Sequence, residues 1–379
     1  MQKIFFLSDN ALGKVIYLKL NEMFKKNIVF VNNIPQFANE NSNIIDLEEI
    51  GFDDKSEFWI ANANYYQLEK WCYLAKKTGV NSVRIFKSET IEDLDTYESI
   101  CAVSYVANIN EKALISKIEY HVCDHCNLNC SGCSHFAPLF EEHFSDLDAF
   151  ENEMILLQNK FANIFRFRLM GGEPFLNPQL DQFVICARKY FPNTHLEIVT
   201  NGLILTRVEE KVWRAIKEND AVLNISMYPP TFNVKERIGS FLNNLEIPYS
   251  FGSGLEQYNE DGIIEEFHKN LTLYKDNDEW EATRQCMGSY CHYYRDGKLS
   301  KCALPQLIYK LNDKFGTKYE VVENDVIDLK TNIKPWDIVK RMREPIEFCK
   351  YCSDSGTERF EWKVDPKGEK ISYYILERE

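Results

Sequence analysis

Apolar positions along the chain follow two alternating rhythms. Compact apolar runs at residues 3–7, 27–31, 58–60 and 83–86 predict strands. Between them, residues 11–24 place Leu12, Val15, Ile16, Leu20 and Met23 at helical spacing behind the capping side chains of Ser8, Asp9 and Asn10. Residues 64–77 repeat the helical pattern and stop at Gly79. This alternation predicts a small parallel sheet covered by helices, a Rossmann-like α/β domain over residues 1–115. The loop after its first strand holds one glycine, Gly13, so the glycine-rich dinucleotide fingerprint is absent. An accessory role in structure, assembly or substrate capture is expected for it.

The rhythm restarts with a strand at 117–122. Strands follow at 165–170, 195–200, 222–227 and 249–251, separated by helical patterns at 146–161, 178–190, 207–219 and 234–244. A repeating strand–helix unit puts its chemistry at the carboxyl ends of the strands. Beyond about residue 275 the pattern breaks into a hairpin signal, in which His292 to Arg295 and Lys298 to Lys301 flank Asp296-Gly297. Three parts are expected: 1–115, 116–275 and 276–379.

Composition narrows the class. The 379 residues are 45% hydrophobic and 27% charged, as in ordinary globular proteins. A net charge of −14 argues against broad contact with nucleic acid or anionic membrane. The first apolar run is too short for a signal peptide, and no run reaches membrane-spanning length. A cytoplasmic protein is expected, in which twelve cysteines point to metal sites rather than disulfides.

Cys126, Cys130 and Cys133 stand at C-x3-C-x2-C spacing, so three thiolates can converge from one short loop. A four-iron cluster normally takes four thiolates, and three leave one iron open; with Cys123 added, zinc is the alternative. The spacing, with Asn127-Leu128 after the first thiol, resembles the cluster loop of radical S-adenosylmethionine (SAM) enzymes. Some forty residues on, Met170-Gly171-Gly172-Glu173-Pro174 ends the next strand and is similar to that family's GGEP element, which receives the cofactor's ammonium group. Asn201, in Thr200-Asn201-Gly202, and Ser226 resemble positions that hold ribose and carboxylate oxygens. One departure is Gly132, where the family usually carries a bulky residue; His135 or Phe136 is expected to pack beside the adenine instead.

Cys286, Gly297, Cys302, Cys349 and Cys352 resemble the opening and close of the auxiliary-cluster extensions called SPASM and twitch domains. The count resembles the shorter twitch form, implying one extra [4Fe-4S] cluster held by Cys286, Cys302, Cys349 and Cys352. Cys291 is left as a substitute ligand or a thiol near the substrate, and structural zinc is the alternative for this set. Cys72, Cys101 and Cys186 read as core residues and Cys123 as buried under the loop.

The resemblance implies a partial (β/α)6 TIM-like barrel with a small C-terminal auxiliary iron-sulfur domain. It implies two [4Fe-4S] clusters and SAM as cofactors, a flavodoxin- or ferredoxin-type electron donor, and reductive cleavage of SAM to a 5′-deoxyadenosyl radical that removes a hydrogen atom from a small-molecule substrate. A sugar or cyclitol is expected, either oxidised, which requires a base, or epimerised, for which Cys291 would supply hydrogen. A peptide maturase is the alternative substrate class. A cluster-bearing electron carrier or binding protein without catalysis is the alternative of another kind.

Overall fold

A computed structural model of the chain describes residues 4–8, 16–18, 20, 28–31, 57–61, 64–86, 102–252, 263–286, 288, 290–365 and 367–376. The chain forms two compact units. One comprises Met1–Ser116, Asn159–Phe165 and Lys334–Val339; the other comprises Lys117–Gln158, Arg166–Ile333 and Lys340–Glu379.

The first unit is built on strands β1 (Ile4–Leu7), β2 (Ile28–Val31), β3 (Glu57–Ile60), β4 (Ser82–Phe86) and β5 (Ser104–Asn108), in the order β2-β1-β3-β4-β5. β1 pairs in parallel with β2 and β3, and β3 with β4. β5 closes the edge antiparallel to β4. Both faces of β1 are buried: Phe5 and Leu7 join Phe58, Ile60, Leu68 and Trp71 in one apolar cluster, and Ile4 and Phe6 join Ile16, Leu20 and Trp59 in another. A strand covered on both sides needs a continuous apolar run, as Ile-Phe-Phe-Leu is. The helix Tyr65–Lys77 begins where Asn64 accepts the backbone N–H groups of Tyr66 and Gln67. The helix expected over 11–24 lies largely outside the described residues.

The sheet of the second unit is formed by β6 (Ala113–Cys123) and β7 (Phe161–Gly171), whose first residues belong to the first unit, with β8 (His195–Thr200), β9 (Val222–Ile225) and β10 (Tyr249–Phe251); the five lie side by side in chain order, with the β7–β8, β8–β9 and β9–β10 pairs parallel. The helices Leu147–Lys160, Leu180–Tyr190, Glu210–Glu218 and Lys235–Asn244 connect them. This is the connectivity of a partial (β/α) barrel, and all five strands stand where the apolar pattern placed them.

The segment beyond 275 departs from expectation in its placement. Its hairpin, β12 (Tyr293–Arg295) and β13 (Lys298–Ser300), continues the barrel sheet: β12 pairs in parallel with β6 through Tyr293 and Glu119, and β13 pairs with β14 (Val326–Asp328). The resulting order is β10-β9-β8-β7-β6-β12-β13-β14. A separate antiparallel ribbon joins β11 (Glu266–Lys269) to β15 (Glu358–Glu361).

Candidate functional site

The last residue of β6 is Cys123, and the chain then turns into the Asp124–Cys133 loop. Two backbone hydrogen bonds fasten this loop to the end of β7: Gly172 N donates to Cys123 O at 2.8 Å, and Glu173 N donates to His125 O at 3.0 Å. A Cβ on Gly171, whose φ is +137°, would lie 1.8 Å from Cys123 O, and one on Gly172 would lie 2.0 Å from His125 O. The two glycines are therefore fixed by the approach of the cysteine loop's own backbone.

The Glu173 carboxylate is fully buried and turned inward, accepting from Phe175 N at 3.2 Å, Thr200 Oγ1 at 2.7 Å and Asn201 N at 2.9 Å. Burial pushes it up to about 7 despite these three donors. It thereby fastens the end of β7 to the end of β8. Asn201 in turn donates from Nδ2 to Asn127 Oδ1 at 2.8 Å and lies 3.6 Å from Cys126 Sγ.

These strand ends open on one cavity of about 330 Å³. Cys126, Cys130, Cys133, Gly171, Gly172, Asn201 and Ser226 line it, as do Cys286, Cys291, Cys302, Cys349 and Cys352. Glu173 and Pro174 stand behind the wall. The thiols fall into two electrostatically coupled sets. Burial raises Cys126 and Cys130, and Cys133 raises both further; burial likewise raises Cys302 and Cys352, with Cys286 and Cys349 adding to it. Cys291, raised to about 11 by burial, stands 3.0 Å from Lys117 Nζ. Among the described residues no three His, Cys, Asp or Glu side chains gather around one ion. Cys72, Cys123 and Cys186 are buried core thiols, and Cys101 lies outside the described residues.

Gly132 has its reason in the C-terminal segment. Its φ is +63°, and a Cβ there would meet Phe360 Cζ at 2.4 Å and Tyr373 O at 2.5 Å. Phe360 and Tyr373 stack with ring centres 5.5 Å apart. Ser131 N and Oγ both donate to Lys363 O, and Asp365 N donates to Asn129 O at 2.8 Å. Residues 358–365 thus form a strap across the cysteine loop, occupying the space a bulky residue at 132 would fill. Phe136, by contrast, packs edge-on to Tyr374, and His135 is 2.8 Å from His121; both still line the cavity.

Two buried polar networks went unread in the sequence. Asp124 takes both terminal nitrogens of Arg295 at 2.9 Å and sits 3.0 Å from His121 Nδ1. Burial opposes its charge, yet His121 and Arg295 hold its carboxyl well below the usual range. Deeper in the barrel, Arg168 bridges Glu119 at 2.9 Å and Glu197 at 2.6 Å. Burial opposes the Glu119 charge as well, and Lys117 and Arg168 override it. The available signal was charge inside strands: Glu119 and His121 interrupt β6, and Arg166 and Arg168 interrupt β7, each pair two residues apart and so on one face.

A family model described as the Radical SAM superfamily matches residues 120–245, the span that holds the cysteine loop, the Gly171–Pro174 turn, Asn201 and Ser226. Residues 120–245 are a radical SAM domain. The chain is similar to curated GTP 3′,8-cyclases: 30% identical over 122 residues to that of Microcystis aeruginosa, covering 31% of this chain and 37% of the relative, and 25% over 177 residues to that of Helicobacter pylori, covering 41% and 53%. The chain thus spans between a third and about half of the length of these relatives. Similar solved structures include BtrN in complex with AdoMet and 2-DOIA, at 18% identity and TM-score 0.38 over 70% of this chain and all of that one. Streptococcus suis SuiB bound to precursor peptide SuiA matches at 12% identity and TM-score 0.38, over 77% and 84%. A radical SAM domain binds SAM at a [4Fe-4S] cluster, and the thiol donors lining this cavity suit one. No helix among the described residues is long and apolar enough to cross a membrane.

Proposed function

We propose that the chain is a radical SAM enzyme that removes a hydrogen atom from a small-molecule substrate in the cavity shared by its two thiol sets. The observation that supports this reading is the fastening of the Gly171–Pro174 turn onto Cys123 and His125, directly ahead of Cys126, with Gly171, Gly172 and the three thiols lining the same cavity. Cys126, Cys130 and Cys133 would hold a [4Fe-4S] cluster, and Gly171, Gly172, Asn201 and Ser226 would receive SAM, with Glu173 and Pro174 shaping the turn from behind. Bound together, cluster and SAM supply a 5′-deoxyadenosyl radical when an electron arrives from a flavodoxin- or ferredoxin-type donor.

Cys286, Cys302, Cys349 and Cys352 would hold an auxiliary cluster in a twitch-like segment over 276–379, and all four line the same cavity. Oxidation or epimerisation of a sugar or cyclitol is the favoured chemistry, with Cys291 placed on the wall as the thiol available to it. The similarity to GTP 3′,8-cyclases supports a second reading, cyclisation of a purine nucleotide.

Anaerobic reconstitution followed by dithionite and SAM tests the proposal. We expect 5′-deoxyadenosine from the wild type and none from Cys126→Ala; its absence from fully loaded wild type would refute enzymatic SAM cleavage. Iron analysis should give about eight irons per chain, falling by about half in Cys302→Ala, and a wild-type value near half of that would remove the auxiliary cluster.

A further inference from the structure

Five aromatic rings gather beside the cysteine loop, and none of them is fully buried. Tyr228, two residues beyond Ser226, stacks on Trp362 with ring centres 6.0 Å apart and meets Phe267 edge-on at 5.9 Å. The pairing of β11 with β15 sets Phe267 opposite Phe360, the two rings edge-on at 6.2 Å, and Phe360 in turn stacks on Tyr373. Rings of this kind bury about 150–250 Å² each when a core closes over them. Here all five stay partly exposed, and Tyr228, Phe267 and Tyr373 line the cavity. Ring faces left open on a cavity wall are covered best by a flat aromatic group, which adds offset-stacked and edge contacts to the burial of apolar area.

The position of this wall selects the occupant. It begins at the cysteine loop itself, because Phe360 fills the room that a side chain at Gly132 would take, and Gly132 directly precedes Cys133. SAM held by its methionine end at a cluster on Cys126, Cys130 and Cys133 keeps its nucleoside within one molecule's length of that loop. Ser226 and Tyr228 line the same cavity as those thiols. His135 and Phe136, expected from the sequence to flank the adenine, are engaged with His121 and Tyr374 instead.

We propose that Tyr228, Phe267 and Tyr373 form the wall against which the adenine of SAM stacks, with Phe360 of the strap standing in for the bulky side chain missing at 132. This rests on the reading of the cavity as a radical SAM site. It adds that the radical SAM domain of residues 120–245 draws its nucleoside wall from beyond itself, from β11 and from the strap and the residues that follow it.

The test is equilibrium dialysis of the anaerobically reconstituted protein against SAM and, separately, against L-methionine, which lacks the nucleoside. Phe267→Leu and Tyr228→Leu keep apolar bulk and remove the ring. Each should weaken SAM about tenfold, the loss of one stacked or edge contact to a base, while L-methionine binding and iron content stay at the wild-type level. Tyr228→Phe, which restores the ring without the hydroxyl, should recover SAM affinity. The proposal is wrong if both leucine variants bind SAM within about twofold of wild type, if SAM and L-methionine weaken together with loss of iron, or if Tyr228→Phe loses as much as Tyr228→Leu. Failure of the radical SAM reading would show in the wild type itself, as a loaded protein that binds no SAM and forms no 5′-deoxyadenosine, whereas failure of the aromatic wall shows only in the variants.

Discussion

Replacing Gly132 with alanine isolates the fit between the cysteine loop and the strap that crosses it. Two terms add. A residue with a Cβ at φ +63° costs roughly 1–2 kcal/mol in the left-handed region. The new methyl would also press on Phe360 Cζ at 2.4 Å and Tyr373 O at 2.5 Å. The ring can swing aside, but the carbonyl belongs to the backbone, and overpacking of this kind costs about 1–3 kcal/mol. The total of about 2–5 kcal/mol falls on the contact between residues 129–132 and 358–373, so the strap should open before the sheet does. Limited trypsin digestion of the reconstituted protein reads this at Lys363. Cleavage there should accelerate about thirtyfold or more if it follows the open population. Phe360→Ala added to Gly132→Ala should restore only part of the protection, because the clash with Tyr373 O survives. Equal cleavage rates and equal melting temperatures for Gly132→Ala and wild type would refute this account of the glycine.

Two further outcomes follow from buried carboxylates. Glu173→Ala strands Phe175 N, Thr200 Oγ1 and Asn201 N, and at roughly 1–3 kcal/mol per unmet buried donor it should destabilise the second unit by at least about 3 kcal/mol in denaturant unfolding; a loss under about 1 kcal/mol would show that the carboxylate does not fasten β7 to β8. Glu153 accepts from Tyr120 Oη at 2.7 Å and Gly297 N at 2.8 Å, yet burial raises its carboxyl above the ordinary 4.5. Because the folded state holds that proton longer than the unfolded chain does, the contribution is greatest below pH 4.5 and shrinks as pH rises through the raised value. Glu153→Gln should therefore flatten the stability profile between pH 4.5 and that raised value, and a profile parallel to wild type would contradict it.

Much of the barrel was legible because each strand carries its own apolar signal. β8 and β10 fall on residues 195–200 and 249–251 as the pattern placed them, and β6, β7 and β9 differ only at their ends. β5 was not read: Ser104–Asn108 is a half-exposed edge strand bounded by Ser104 and Asn108, with a short apolar run that includes the exposed Val106, so its apolar content is too thin to stand out. The attachment of β12 to β6 was invisible for another reason, since that pairing is long-range and no local periodicity encodes it. At the site, the spacing of Cys126, Cys130 and Cys133 and the Gly-Gly-Glu-Pro turn brought the right segments together. Their internal roles were not legible. Gly171 and Gly172 are demanded by Cys123 and His125 of the same chain, and Glu173 turns to Thr200 and Asn201, choices that depend on which backbone lies a few ångströms away. Gly132 is the clearest case, because its partners are more than two hundred residues downstream.

The pairing of β12 with β6 also acts as a ruler. The Cys126–Cys133 loop leaves the end of β6, while Cys291 and Cys302 bracket the hairpin whose first strand is hydrogen-bonded to β6 through Glu119 N and His292 O at 2.8 Å. The offset between that loop and the hairpin that leads to Cys302 is thus tied to a backbone pairing whose step is about 3.3 Å per residue. A change of register between β12 and β6 would move Cys302 relative to that loop in steps of about 3.3 Å, and each one-residue step would turn Tyr293 and Arg295 to the other face of the sheet.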